Sequence, residues 1–310
     1  MGAADCVPGV SGGTVALVLG IYRRLVTAVS RVDGTLFAHL RRRDVAAAWG
    51  HLDGRFVLAL LAGVMCGVLA LTTLMRHLME THYTLTFAAF FGLVAGSVLL
   101  VLGLVERWTW WRAALVLIGA AVAYRLVTLP LLEEPPVGPG YLFLCGAVAI
   151  CAMILPGVSG AFLLVVLGVY EHVTEWPKRL LKGEVDDAMG LEAAGFFGGM
   201  VLGITLFSKL LRWLLGHYQA ATLAVLAGAM AGSLRRLWPF VEPRPDGVTF
   251  KQWVPEAVVP DPSSHTLLAV LLMIAGAAAV LLLDRLSRGV SAEGDPGPGE
   301  EVDLPPGTGN

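Results

Sequence analysis

Apolar stretches of about twenty residues with almost no charge alternate with short charged connectors along most of the chain. Such a stretch, coiled as a helix rising ~1.5 Å per residue, crosses a hydrocarbon core of ~30 Å. The pattern predicts membrane helices at 54–77, 84–104 and 109–131, and again at 191–215, 219–237 and 265–287. Between them it predicts a helix over 12–30, an interfacial helix over 35–53 carrying His39 and Arg41 to Arg43, and an apolar stretch at 141–155. A helix over 158–174 and a charged segment over 175–190 follow. Glu133 to Gly140 forms a Pro/Gly linker, and 239–262 reads as an irregular proline-rich loop. The acidic Pro/Gly tail is expected to lack a packed structure.

A motif recurs. Pro8-Gly9-Val10-Ser11-Gly12-Gly13-Thr14 returns as Pro156-Gly157-Val158-Ser159-Gly160-Ala161-Phe162. Each copy runs into an apolar stretch that closes on Leu19-Gly20-Ile21-Tyr22 or Leu167-Gly168-Val169-Tyr170. Further on, Gly63-x-x-x-Gly67 matches Gly199-x-x-x-Gly203, and Gly92-x-x-x-Gly96-Ser97 matches Gly228-x-x-x-Gly232-Ser233. Small residues four apart let membrane helices approach closely, so both halves are expected to use the same two packing seams. The chain thus divides into a first repeat (1–134), a second repeat (135–288) and a tail (289–310). The second half has an apolar lead-in to its motif where the first has only Met1 to Val7, so either a further helix stands upstream of Met1, the simpler explanation, or the first repeat does without one.

An odd number of crossings separates the two motif copies whether each lies in a re-entrant hairpin or between two spanning helices. The halves should therefore insert in opposite orientations. The connector 22–55 carries seven arginines (Arg23, Arg24, Arg31, Arg41, Arg42, Arg43, Arg55) against three aspartates. Its counterpart 171–190 is rich in Glu and Asp, including Asp186 and Asp187. The positive-inside rule puts the first in the cytoplasm and the second outside. The expected fold is an all-α polytopic membrane protein, an inverted-topology repeat whose two broken, re-entrant helix motifs meet near the membrane midplane.

Composition agrees with this class and excludes others. The chain is 56% hydrophobic and 15% charged, with a mean hydropathy of +0.73. A net charge of −2 and scattered arginines give no nucleic-acid surface. Cys6, Cys66, Cys145 and Cys151 have no metal-ligand spacing and read as small buried residues. Neither a metal nor any other cofactor is implied.

The motif has a chemical use. Pro8 and Pro156 break a helix by removing an amide donor. Gly9, Gly12, Gly13, Gly157 and Gly160 bare the backbone to a ligand. Ser11 and Ser159 can cap the helix that follows, and Thr14 adds a hydroxyl. A helix start at membrane depth binds an anion, phosphate above all. Irregular backbone at that depth is tolerated only where it is buried or lines a polar cavity. The opposing explanation is a kink that merely packs helices, but a duplicated motif with a Ser in each copy favours a site. Lys209, well inside the helix 191–215, is the expected cation, since an intramembrane charge points to function. Arg76, Arg125, Arg212 and Arg235 lie nearer helix ends and are expected to reach the headgroups.

The motifs at Pro8–Thr14 and Pro156–Ala161, with Phe207-Ser208-Lys209-Leu210-Leu211 and the run from Gly232-Ser233 to Trp238-Pro239, resemble the bacterial polyprenyl-phosphate translocases. The resemblance covers Ala3 to about residue 285. This chain departs from the family in lacking an N-terminal helix and in having Ala161-Phe162 where the first copy has Gly13-Thr14. The resemblance implies an undecaprenyl-phosphate carrier of the bacterial plasma membrane. It would return the lipid from the outer to the inner leaflet for envelope-polymer synthesis. The partners expected are the polyprenyl-phosphate lipid and the membrane. Homo-oligomers are left open, because glycine seams serve contacts within and between chains alike.

Two rivals stand beside it. Membrane undecaprenyl-pyrophosphate phosphatases also combine inverted repeats with a Pro-Gly-x-Ser loop, but in them Arg and Ser follow. Here Gly12-Gly13 and Gly160-Ala161 stand in their place, and Glu133-Glu134 sit in a proline-rich loop poorly placed for acid–base work. A secondary carrier of a small anion would use the same helix ends without lateral access for a lipid tail. Proton coupling through Asp5, His77, Glu80, His82 or His217 is left open.

Overall fold

The computed structural model describes residues 1–2, 12–129, 132, 135–157, 159–184, 186–242 and 256–293. Among them the chain is helical apart from connectors and one isolated bridge between Val241 and Ala257. The first half comprises α1 (Gly12–Val18), α2 (Tyr22–Ser30), α3 (Gly34–Arg41), α4 (Val45–His51), α5 (Gly54–Thr81), α6 (Tyr83–Gly103) and α7 (Trp110–Val127). The second comprises α8 (Pro139–Ile154), α9 (Gly160–Val166), α10 (Tyr170–Lys182), α11 (Asp187–His217), α12 (Gln219–Ser233) and α13 (Ser264–Glu293). A 3-10 turn, Leu234–Leu237, closes α12.

Five of these helices are long and apolar enough to cross a membrane: α5, α6, α7, α11 and α13. Large apolar side chains such as Leu61, Leu69, Leu117, Leu202, Leu206 and Leu283 are exposed on them, as lipid-facing surfaces require. The expected spanning helix 219–237 proves shorter: α12 has 15 α-helical residues before the 3-10 turn. Its Leu223, Ala224, Leu226, Ala227 and Met230 are buried, so it serves as a core helix and its length need not match the bilayer.

The continuous helices expected over 12–30 and 158–174 are each broken in two. Gly20 and Gly168 adopt φ of +70° and +71°. At each break the amide after the glycine bonds back five residues, Ile21 to Ala16 and Val169 to Leu164, both at 3.0 Å. This is the Schellman ending, in which a left-handed residue satisfies the last carbonyls and turns the chain. The interfacial helix 35–53 is likewise two helices, capped by Asp33 and Asp44. The charged segment 175–190 continues α10 as far as Lys182.

The glycine seams cross between the halves. A Cβ on Gly92 would collide with the Met273 carbonyl and one on Gly96 with Ala277, so α6 packs backbone to backbone on α13. In the same way Gly228 meets Val116 and Gly232 meets Ala120, so α12 packs on α7. Each third helix returns a glycine, Gly276 toward Ala89 and Gly119 toward Val225. The third membrane helix of either half thus lies against the second helix of the other. Gly199 and Gly203 meet Phe143 and Ala147 on α8, whereas Gly63 has open space where a Cβ would be.

The duplication extends to single bonds. His82 joins α5 to α6 at φ −133°, ψ 48°, and Tyr218 joins α11 to α12 at φ −130°, ψ 43°. Thr86 and Thr222 donate to the carbonyls of His82 and Tyr218 at 2.8 and 2.9 Å. Ser97 and Ser233 donate to Leu93 and Met230, both at 2.7 Å. The connectors differ. Arg24 ties α2 to α5 through Asp53 at 2.6 Å and the Phe56 ring at 4.4 Å. In the other half His172 ties α10 to Glu192 on α11 at 2.7 Å.

Candidate functional site

The two motifs meet. The Gly157 amide donates to the Thr14 hydroxyl at 2.9 Å, a buried bond across 143 positions. The Tyr22 hydroxyl, at the end of the first motif's apolar run, donates to the Ile154 carbonyl just ahead of Pro156 at 3.0 Å. Gly12, Gly13 and Thr14 are buried in α1. Pro8, Gly9 and Ser11 lie outside the described residues.

In the second motif, Leu155 turns extended after α8, Pro156 is fully buried, and Gly157 takes φ +85°. Only glycine holds that backbone angle without strain. A Cβ at Gly157 would also come within 2.8 Å of the Ser233 hydroxyl oxygen and of Met230 Cα, so the loop is pressed against the end of α12. Ser159 caps α9 by accepting from the Phe162 amide at 3.4 Å. Gly160 is packed on the Ala149 carbonyl of α8. The motif helices are short, however. Both α1 and α9 have seven residues. Two turns carry only part of the dipole of a long helix, so the backbone alone is a weak anion trap.

The charged candidates are spread apart. Lys209 is half-buried on α11 beside the buried Ser208, and no hydrogen bond or ion pair links it to Thr14, Gly157 or Ser159 among the described residues. Arg125 and Arg212 are exposed, consistent with side chains that reach headgroups; the Arg76 side chain lies outside the described residues.

The sequence reading passed over Arg236. This residue sits half-buried on the 3-10 turn that follows Ser233, with its guanidinium carbon 4.8 Å from the centre of the Phe162 ring. Leu234 and Leu237 of the same turn pack with Tyr83, Phe87 and Val15 of α1. One sequence signal pointed there: an Arg pair one residue beyond the Gly-x-x-x-Gly-Ser seam.

Cys145 is buried and Cys151 half-buried, but Cys66 is exposed on α5 rather than buried as expected. A cysteine on a lipid-facing helix meets hydrocarbon instead of water and behaves as one more small apolar residue. No metal-binding group of His, Cys, Asp and Glu occurs among the described residues.

Comparison with known proteins identifies a family. Residues 1–246 match the family model described as "VCA0040-like: Undecaprenyl phosphate translocase-like". A "Polyprenyl-phosphate transporter" of Vibrio cholerae serotype O1 is 35% identical over 297 residues, 92% of this chain and 93% of its own. Another of that name, from Staphylococcus aureus, is 30% identical over 253 residues, 77% of this chain and 83% of its own. No solved structure matches the chain. These names are those of transporters and not of enzymes, which answers the phosphatase alternative.

Proposed function

This chain belongs to the undecaprenyl phosphate translocase-like family, and from that premise we propose that it carries a polyprenyl phosphate across the bacterial plasma membrane. The direction is from the outer to the inner leaflet, returning the spent carrier lipid for envelope-polymer synthesis. The observation that carries this reading is the junction of the two motifs, Gly157 N–H to Thr14 hydroxyl, next to the Ser159 cap and the Ser233 hydroxyl.

That junction gathers small polar donors in an otherwise apolar helical body. The Thr14 hydroxyl accepts from Gly157 and keeps its own O–H to give to a phosphate oxygen. From the sequence, Pro8, Gly9, Ser11, Gly12 and Gly13 of the first motif and Pro156, Gly157, Ser159 and Gly160 of the second are the residues that would surround the head group. A cation completes the set, Lys209 being the expectation from sequence. The prenyl tail stays in lipid along exposed apolar helix faces, so only the head group needs a polar path. With the halves inverted, the two motifs present that pocket to opposite leaflets in turn.

The test is leaflet exchange of labelled undecaprenyl phosphate in proteoliposomes holding the purified protein. Phosphate release from the diphosphate and uptake of a soluble anion are measured alongside. Lipid exchange without either of the other two is the expected result. Release of phosphate would overturn the reading in favour of an enzyme. Soluble-anion uptake without lipid exchange would overturn it in favour of a small-anion carrier.

A further inference from the structure

We propose that Arg236 is the side chain that grips the phosphate, an assignment that rests on the reading of this chain as a lipid-phosphate carrier. Its position follows from the repeat. The α12 helix ends at Ser233, against the Gly157 loop, and Arg236 stands one turn further along. Its guanidinium lies over Phe162, which occupies in the second motif the place Thr14 holds in the first. The first motif therefore sends a hydroxyl to the junction, and the second sends a ring that holds a cation.

Even partial burial of a guanidinium costs hydration, and a phosphate held at the junction would offset part of that cost. Contact with an aromatic face fixes a guanidinium through its π-system, while phosphate is recognised through its N–H edge, so a ring-held Arg can still take a phosphate bidentately. Arg235 beside it adds positive potential. The cation is not duplicated with the repeat, since the position matching Arg236 in the first half is the buried Leu100. One phosphate needs one. The planar fork also suits a monophosphate better than the point charge of an ammonium.

The experiment uses the full chain in lipid nanodiscs. Binding of polyprenyl phosphate and of the uncharged polyprenol of equal length is compared for wild type, Arg236→Gln, Arg236→Lys and Lys209→Gln, with thermal melts as folding controls. Loss of a charged hydrogen-bonding partner predicts that Arg236→Gln weakens phosphate-lipid binding by about ten- to a hundredfold and leaves polyprenol binding unchanged. Arg236→Lys should lie between the two, having kept the charge but lost the fork. A folded Arg236→Gln protein with wild-type affinity overturns the assignment, as does Lys209→Gln alone reproducing the selective loss. Should Arg236→Gln fail to fold, Arg236→Lys decides, and unchanged affinity there also overturns it. A wild type that does not prefer the phosphate over the alcohol sinks the carrier reading itself, whatever the variants do.

Discussion

The amide of Gly157 and the hydroxyl of Thr14, 143 positions apart in the chain, are joined by a buried hydrogen bond of 2.9 Å. This bond fastens one motif to the other. On the proposed reading, its loss should affect both the fold and the head-group pocket, because the same hydroxyl would serve both. Thr14→Val keeps the shape and leaves the Gly157 N–H unpaired, at a cost of about 1–3 kcal/mol. We expect a lower melting temperature and slower lipid exchange for Thr14→Val, and near wild-type values for Thr14→Ser. Equal behaviour of the two variants would show that the hydroxyl is dispensable.

The seams make a second prediction. Gly92→Ala and Gly228→Ala each push a methyl into the backbone of a partner helix, on Met273 and Val116 respectively, and no flexible side chain can yield. Overpacking of this kind costs about 1–3 kcal/mol. Gly63→Ala meets nothing within 4 Å, so it should be neutral or mildly stabilising through helix propensity. Melts of the three variants in one detergent would separate them, and a Gly63→Ala protein as damaged as Gly228→Ala would contradict the seam assignment.

Much of this was legible from the chain, and the exceptions share a cause. The seams at Gly92 and Gly96, Gly228 and Gly232, and Gly199 and Gly203 and the Ser159 cap were visible because they depend on spacing within one element, three or four residues apart. The seam expected at Gly63 was not borne out, because that glycine faces open space rather than a partner helix. The partner of each seam was not visible, since a glycine stripe reveals that a helix approaches something closely but not that α6 would take α13 from the other half. The breaks at Gly20 and Gly168 were hidden inside apolar runs that read as continuous helix, although Leu-Gly-x-Tyr carries the glycine a left-handed ending requires. Arg236 was missed because two arginines at a helix end look like headgroup anchors. Only the crossing of α12 behind the second motif gives one of them another use.

Those breaks can be tested on their own. Alanine at φ near +70° is strained by about 1 kcal/mol. Gly20→Ala has open space around its new methyl, whereas at Gly168 the methyl would also strike the Leu132 carbonyl and the Pro135 ring. Gly168→Ala should therefore be the more destabilising, in thermal melts and in expression yield. The reverse order would show that the contacts around Gly168 do not limit its replacement.

Orientation follows from charge. We expect a cysteine placed among Arg41 to Arg43 to be labelled only from the cytoplasm and one at Asp187 only from outside, in intact cells with a membrane-impermeant maleimide. Both segments lie between the helices that follow the motif and the first membrane helix of their half, ahead of α5 in one and at the start of α11 in the other. Labelling of both from one side would end the inverted arrangement and, with it, the idea that the motifs face opposite leaflets in turn.

The start of α11 should also respond to acid. Asp186 caps α11, accepting from the Met189 amide at 2.9 Å and from Arg179 at 3.2 Å. These bonds, the amide's first, hold its carboxyl below the ordinary carboxylate range. A group depressed in the folded state stabilises it above the unfolded pKa, and that contribution fades as pH falls through the folded value. The cap is therefore intact at neutral and mildly acidic pH and is lost only below about pH 4, where free aspartate itself titrates. Asp186→Asn retains a capping oxygen but removes the charge next to Arg179 and the helix start. Its melting temperature should be slightly below wild type at pH 7 and should converge with it as the medium is acidified past the carboxylate range. A gap between the two proteins that stays constant from pH 7 to pH 3 would show that the Asp186 charge plays no part in holding α11.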